Sequence, residues 1–309
     1  MNEKRLDNCI WEWLTIVKKN SVKSLTYDRL LISFKLLQTY PIASKNVDVI
    51  RSTDIQSHLN LLVEDAYAMS TIRKQFNLIT AYWKWAMSQG FVKTAVYLGA
   101  KLPCEEAVKP SKKDIQTYTP YEQSILLDRL LTLEHVQYAA AVLMLEAGLR
   151  VGEVLALSWS DVLWSRRAIY IHRTLIRESS APITFIQESA KSKSSKRTVP
   201  LSSTAMDVLE RLNFRKSSDE LIFAREDDPS MPYSYSSIEY HIRHLCKDLE
   251  IPYLGLHAFR HTFATNCYER GCDVKILSKL LGHADVAITY NTYIHLYGDA
   301  LEEMRKVIG

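Results

Sequence analysis

Glycine and proline are scarce in this 309-residue chain, nine of each, and 47% of the residues are hydrophobic. Such a composition excludes a collagen-like repeat and an extended disordered chain. Cysteine is sparse too. Cys9, Cys104, Cys246, Cys267 and Cys272 are scattered without any Cys-x-x-Cys pair, which excludes a disulfide scaffold, gives no zinc reading and leads us to expect reduced thiols. No apolar run approaches the roughly 18 residues that a membrane span needs. The start, MNEKRLDNCIWEWL, has no signal-like apolar stretch, so a cytoplasmic protein with no membrane partner is expected. Repeats at a fixed period and low-complexity tracts are also missing. What is left is a globular chain, long enough for two domains of about 150 residues.

The net charge of +4 is unevenly spread. Residues 1–104 carry fourteen Lys and Arg against eight Asp and Glu, whereas residues 105–309 carry twenty-five against twenty-seven. A basic first third fits a module that meets a polyanion, and it fits a merely solvated basic face equally well.

The clearest break in composition is KLPCEEAVKPSKKDIQTY at 101–118, with two prolines, three of its four lysines close together and little apolar periodicity. It divides the chain into residues 1–104, a linker at 105–114 and residues 115–309. The first part reads as helices throughout. Thr53 and Gln56 suggest a capping box for a helix with Ile55, Leu59, Leu62 and Val63 inside. Ser70 is the expected cap of a second helix, with Ile72, Phe76, Ile79, Trp83 and Met87 on one face, ending at Gly90. The opposite face shows Arg73, Lys74, Asn77 and Lys84, which suit a phosphate backbone or simply solvate the helix. After the linker, Thr119-Pro120-Tyr121-Glu122 is a helix start with cap, N1 proline and box. Helices at 120–131 and 137–147 are followed by strand-like segments at 168–172, 183–188 and 197–201. Helical periodicity returns at 203–212 and from 234 onward. The expected fold class is mainly α, a helical bundle followed by a mixed α+β domain with one small antiparallel sheet.

Four clusters can carry chemistry. In Ala147-Gly148-Leu149-Arg150-Val151-Gly152-Glu153, Gly148 reads as a helix stop, Arg150 sits in the turn, and Glu153 lies one helical turn on; by itself the pair is an ordinary i,i+3 ion pair. Lys191, Lys193, Lys196 and Arg197 crowd between two predicted strands, as a site-forming hairpin tip or as an exposed basic turn. In His257-Ala258-Phe259-Arg260-His261-Thr262, His257 and Arg260 share a helix face while Phe259 and Phe263 turn inward. A guanidinium fork beside an imidazole can grip a phosphodiester and move a proton next to it. Leu281-Gly282-His283 is another helix stop, followed by Tyr290, Thr292, Tyr293 and His295; these aromatics also fit a core.

Taken in order, Arg150 in its GLRxGE box, the basic hairpin with Lys191, His257-x-x-Arg260, Leu-Gly-His283 and the late Tyr293 resemble the tyrosine recombinases, in particular phage and conjugative-transposon integrases. AKSKSSKRTVPL at 190–201 stands where those proteins carry their lysine hairpin. The resemblance implies a SAM-like core-binding bundle at 1–104 and the recombinase catalytic domain at 115–309. Many such integrases have an additional N-terminal arm-binding domain; this chain is expected to start directly at the core-binding module.

The resemblance also implies a reaction. Tyr293 would attack a phosphodiester to give a 3′-phosphotyrosyl bond and a free 5′-hydroxyl, with Tyr290 the competing nucleophile. Arg150 and Arg260 would clamp the phosphate, and Lys191 would protonate the leaving oxygen. His257 would assist proton transfer, His283 would hydrogen-bond the phosphate, and Glu153 would support Arg150. The covalent intermediate conserves bond energy, so no cofactor and no metal are expected. Arg73, Lys74, Asn77, Lys84, Lys193, Lys196 and Arg197 are the candidate DNA contacts. The implied partners are double-stranded DNA with inverted-repeat core sites and three further copies in a tetramer, with an excisionase or host accessory protein as further candidates. The implied place is the bacterial cytoplasm, at the nucleoid. The function expected is integration and excision of a mobile element; the alternatives are a Xer-like resolvase, a type IB topoisomerase-like nicking-closing enzyme and a non-catalytic DNA-binding relative. The tail at 298–308 is expected to form a helix that docks on a neighbouring subunit or on its own domain.

Overall fold

The computed structural model describes residues 4–108, 116–133, 135–177, 184–188, 196–212 and 217–293. Contacts divide the chain into two compact units that meet in sequence at residues 113 and 114. Among the described residues no helix is long and apolar enough to cross a membrane.

In the first unit α1 (Leu6–Glu12) runs into a π-helical turn over Trp13–Lys18, followed by α2 (Ser24–Leu37), α3 (Ser52–Glu64) and α4 (Met69–Ser88). Their apolar stripes close on a core that includes Leu6, Trp13, Leu37, Leu59, Ile79 and Trp83. Two helix starts differ from the sequence reading. The α3 cap lies at Arg51, whose backbone N–H donates to the Asp54 carboxylate at 2.8 Å. The Thr53–Gln56 box does not form because Gln56 is engaged elsewhere, donating to Asn60 and accepting from the Lys101 N–H at 2.8 Å. The α4 cap is Ala68, so Ser70 falls inside the first turn. Its buried stripe includes Gln75, Tyr82 and Ala86, while Phe76 and Met87 are half-buried. Gln75 meets a buried carbonyl there, its amide donating to Ser33 O at 2.8 Å. Arg73, Lys74, Asn77 and Lys84 are all exposed, with the Lys84 ammonium 5.9 Å from the Tyr97 ring centroid.

The second unit is built around α6 (Val136–Ala147), which is apolar nearly all round and therefore buried nearly all round. Packed on it are α5 (Pro120–Thr132), α8 (Ser203–Leu212), α9 (Tyr235–Asp248) and α10 (Leu256–Glu269). The α5 start is a complete capping box: Glu122 N–H donates to the Thr119 hydroxyl, Thr119 N–H donates to the Glu122 carboxylate, and Pro120 occupies N1. Three short helices complete the unit: α7 (Val151–Leu155), α11 (Val274–Leu281) and α12 (Val286–Tyr293).

The small antiparallel sheet has the order β1-β2-β5, from β1 (Val162–Leu163), β2 (Ala168–Ile171) and β5 (Arg197–Pro200), with Ile169 opposite Val199. A separate antiparallel pair joins β3 (Arg173–Arg177) to β4 (Thr184–Glu188), with Leu175 opposite Ile186. This corrects the expected hairpin around the basic run. Among the described residues β4 pairs with β3 and β5 with β2, so the strands on either side of the lysine run belong to different sheets.

Candidate active site

Two helices that lead into the site end at left-handed glycines, α6 at Gly148 and α11 at Gly282. The turn after Gly148 delivers Arg150 to the N-cap of α7, and the turn after Gly282 delivers His283. Gly152 has a different reason. A Cβ there would strike the Tyr235 hydroxyl and lie 2.8 Å from Thr174 Oγ1 and 2.9 Å from the Leu175 carbonyl, so only glycine lets α7 lie this close to β3.

Glu153 is the centre of the arrangement, 4% exposed. It accepts from the Arg150 backbone N–H at 2.9 Å and from Arg150 Nη1 at 2.8 Å. Arg197 meets the same carboxylate with both prongs, Nη1 to Oε1 and Nη2 to Oε2, each at 2.9 Å. Arg260 Nη1 lies 3.9 Å from Oε2. Burial pushes the Glu153 pKa upward, but the Arg197 and Arg150 guanidiniums outweigh it and hold the group at about 2. The carboxylate therefore stays ionised.

The end of α11 supplies acceptors to all three arginines. Arg197 Nε donates to Leu280 O at 2.5 Å, Arg260 Nη2 to Leu281 O at 2.6 Å, and Arg150 Nη2 to Gly282 O at 3.4 Å. Carbonyls at a helix C-terminus lack intrahelical partners and carry negative partial charge, which suits cations. Arg260, 4% exposed, also donates to Gly148 O at 2.7 Å and approaches His283 Nε2 at 3.1 Å. A guanidinium only donates, so His283 Nε2 accepts and its proton sits on Nδ1, which donates to Thr289 Oγ1 at 2.7 Å. Burial and then the Arg260, Arg150 and Arg197 charges push His283 down to about 4. His257 lies on the open side of α10, held below the ordinary imidazole value by desolvation and by Arg260 and Arg150. His261, one turn on, is pushed down to about 4 by burial and by His257. The result is a cluster of guanidiniums beside neutral imidazoles, in which Arg260 and Arg197 are buried and Arg150 keeps 36% of its side chain exposed.

Arg150, Glu153, Arg260 and His283 are thus brought together by hydrogen bonds, and His257 stands on the helix that carries Arg260. α12 ends at Tyr293. Lys191, Lys193, the side chain of Tyr293 and the tail at 298–308 lie outside the described residues. Tyr290 is 53% exposed on α12, and Lys196 is exposed. Arg197 departs from the exposed DNA contact expected of it: it is 9% exposed, with its guanidinium held by the Glu153 carboxylate and Leu280 O. Its signal was in the sequence. Along β5 and the residue after it, Arg197, Val199 and Leu201 alternate at period 2, and Arg197 shares the buried side with the two apolar residues. Thr289 was missed as well. It is 1% exposed, and nothing local in the sequence separates it from Thr292. Among the described residues no group of three or more His, Cys, Asp or Glu is arranged to hold a metal ion.

The chain is similar to several known proteins. A tyrosine recombinase XerC-like protein of Caldanaerobacter subterraneus subsp. tengcongensis is 26% identical over 320 residues, covering 94% of this chain and 79% of its own length. The transposase of transposon Tn916 from Enterococcus faecalis is 23% identical over 290 residues, covering 88% of this chain and 70% of that one. In fold, the chain is similar to the Tn1549 transposon integrase solved in complex with transposon right end DNA, with a TM-score of 0.80 at 19% identity, covering 99% of this chain and 100% of the other. Residues 119–299, which span the arginine, histidine and tyrosine motifs, fit the sequence model of the phage integrase family. The chain belongs to that family, the tyrosine recombinases, and is a DNA strand transferase of the integrase type.

Proposed function

We propose that this recombinase integrates and excises a mobile element, and that Tyr293 is its nucleophile. The observation that carries the proposal is the convergence of Arg150, Arg260 and His283, from three separate turns and helices, around one buried carboxylate and one helix end. Two fixed guanidiniums beside imidazoles suit a phosphodiester whose charge grows at phosphorus during attack. The Tyr293 oxygen bonds to phosphorus, the 5′-oxygen leaves with a proton from Lys191, and the tyrosine proton passes toward His257. The freed 5′-hydroxyl of one duplex then attacks the phosphotyrosyl bond of the other and releases the tyrosine. Each of two duplexes is cut on both strands and each chain carries one such tyrosine, so complete exchange takes four copies. The basic first unit grips DNA through Arg73, Lys74, Asn77 and Lys84 on α4. The likeness to the Tn916 transposase supports a mobile element, and the likeness to a XerC-like recombinase keeps chromosome resolution as the alternative.

The test is a nicked duplex whose short 5′ fragment diffuses away after cleavage and traps the covalent protein. Peptide mapping should find DNA on Tyr293, Tyr290→Phe should keep the adduct, and Tyr293→Phe should lose it. Joined products between two different duplexes identify strand exchange. Relaxed circles alone would replace it with nicking-closing activity, and an adduct on Tyr290 would overturn the assignment.

A further inference from the structure

Glu153 has two oxygens and three cations around it, and how they are shared decides what Arg150 can do. Arg197 takes both oxygens in a fork-to-fork pair with its side chain 7% exposed. Arg150 is left with one side-chain bond to the carboxylate, through Nη1, and a long contact from Nη2 to Gly282 O at 3.4 Å, with its side chain 36% exposed. A carboxylate and a guanidinium alone together prefer the parallel two-bond arrangement. Without Arg197, Glu153 would be expected to draw Arg150 into that arrangement and spend both of its prongs.

We infer that Arg197 is a positioning residue of the strand-transfer reaction: by saturating Glu153, it keeps the second prong of Arg150 available for the scissile phosphate. The inference rests on the proposed role of Arg150. Arg197 is well placed for it, because its Nε is fixed to Leu280 O and its guanidinium packs against Gly282, where a Cβ would lie 2.8 Å from Nη1. It also begins β5, the strand that follows the lysine segment, so one side chain ties that strand to α7 and to the end of α11. Lysine is a poor substitute. Its point charge cannot occupy two carboxylate oxygens in a plane and a helix carbonyl at once.

The experiment measures single-turnover cleavage of the trapping duplex at saturating DNA, beside DNA affinity and thermal unfolding, for wild type, Arg197→Lys, Arg197→Met, Glu153→Gln and the double variant Arg197→Met/Glu153→Gln. The cleavage rate should fall about 100-fold in Arg197→Met, the scale of losing one transition-state donor, with affinity changed less than about threefold. Arg197→Lys should fold like wild type at the assay temperature yet stay at least tenfold slow. The double variant should be faster than Arg197→Met, because a neutral amide no longer captures Arg150. A substrate with sulfur at the 5′-bridging position should not restore Arg197→Met, since proton donation is intact. A wild-type rate in Arg197→Met or in Arg197→Lys would overturn the inference, as would a double variant slower than both single variants. If the wild-type chain forms no covalent adduct, the proposed function fails first and the positioning role with it.

Discussion

Two buried carboxylates in the catalytic unit look alike and do different things. Asp161, 5% exposed, accepts from Arg173 at 2.7 Å, from His172 at 2.9 Å and from the Ser158 N–H at 2.9 Å. Glu153, 4% exposed, is met by two arginines and a backbone N–H, where Asp161 has one arginine, a histidine and a backbone N–H. Burial pushes both carboxyl groups up, and hydrogen bonds to cations and N–H groups bring both below the usual range. The partners of Asp161 come from one corner, the turn at Ser158 and the β2–β3 junction, and Arg173 uses Nη2 on both Ser158 and Asp161. Those of Glu153 come from α7, β5 and α10, and one of them keeps a third of its side chain in the open. The Asp161 ion pair, with 25% of the Arg173 side chain exposed, is a staple of one corner. The Glu153 cluster ties three elements together and leaves more of one cation open, 36% of the Arg150 side chain.

That difference can be broken experimentally. The largest effect should come from the cations themselves: Arg150→Ala or Arg260→Ala should slow single-turnover cleavage at least about 1,000-fold, consistent with losing a donor aimed at developing charge. Next come the carboxylates. Removing one partner of a buried pair costs about 3–5 kcal/mol, so Glu153→Ala and Asp161→Ala should both lower the midpoint of thermal unfolding. Below that transition Asp161→Ala should cleave at nearly the wild-type rate, while Glu153→Ala should not. A fast Glu153→Ala would make it a staple too.

Acid sharpens the comparison. Each carboxyl group is more acidic folded than unfolded, so its stabilisation is complete above about pH 4.5 and is lost as pH falls further, for Glu153 through about 2. In the first unit His58, 1% exposed, is pushed down to about 4 by burial. Because the unfolded imidazole takes a proton near 6.5 and the folded one near 4, His58 costs stability across that window, on the order of 3 kcal/mol. Acid titrations of unfolding should show a loss between pH 6.5 and 4 that His58→Gln diminishes, and a second loss below 4.5 that it does not touch. The smallest effect belongs to the exposed face of α4. Arg73→Ala with Lys74→Ala should reduce the slope of log affinity against log salt by about 1 per charge, leaving the cleavage rate at saturation unchanged.

Much of the site was legible because local rules governed it. Glycine stops placed Arg150 and His283 in turns, and the Thr119–Glu122 box opened α5 where the residue types say it should. What escaped depended on partners distant in sequence. Arg197 read as one more charge in a basic run, since the carboxylate that buries it lies 44 residues away. Gln56 has the residue type of a capping box, yet the Lys101 N–H takes it. β3 begins and ends with arginine and reads as polar, though Leu175 at its middle is 2% exposed. In each case a tertiary partner overrode a correct local preference.

Neutralisation of the charge on the scissile phosphate by the cluster around Glu153 can be read from one comparison of substrates. Replacing a non-bridging oxygen of that phosphate with methyl removes its negative charge, and with it the need for a guanidinium. Single-turnover cleavage of the natural and methyl-substituted duplexes would be measured for wild type, Arg150→Ala and Asp161→Ala. Arg150→Ala should recover most of its lost rate relative to wild type on the neutral substrate, while Asp161→Ala should track wild type on both. An Arg150→Ala defect of the same size on both substrates would contradict it.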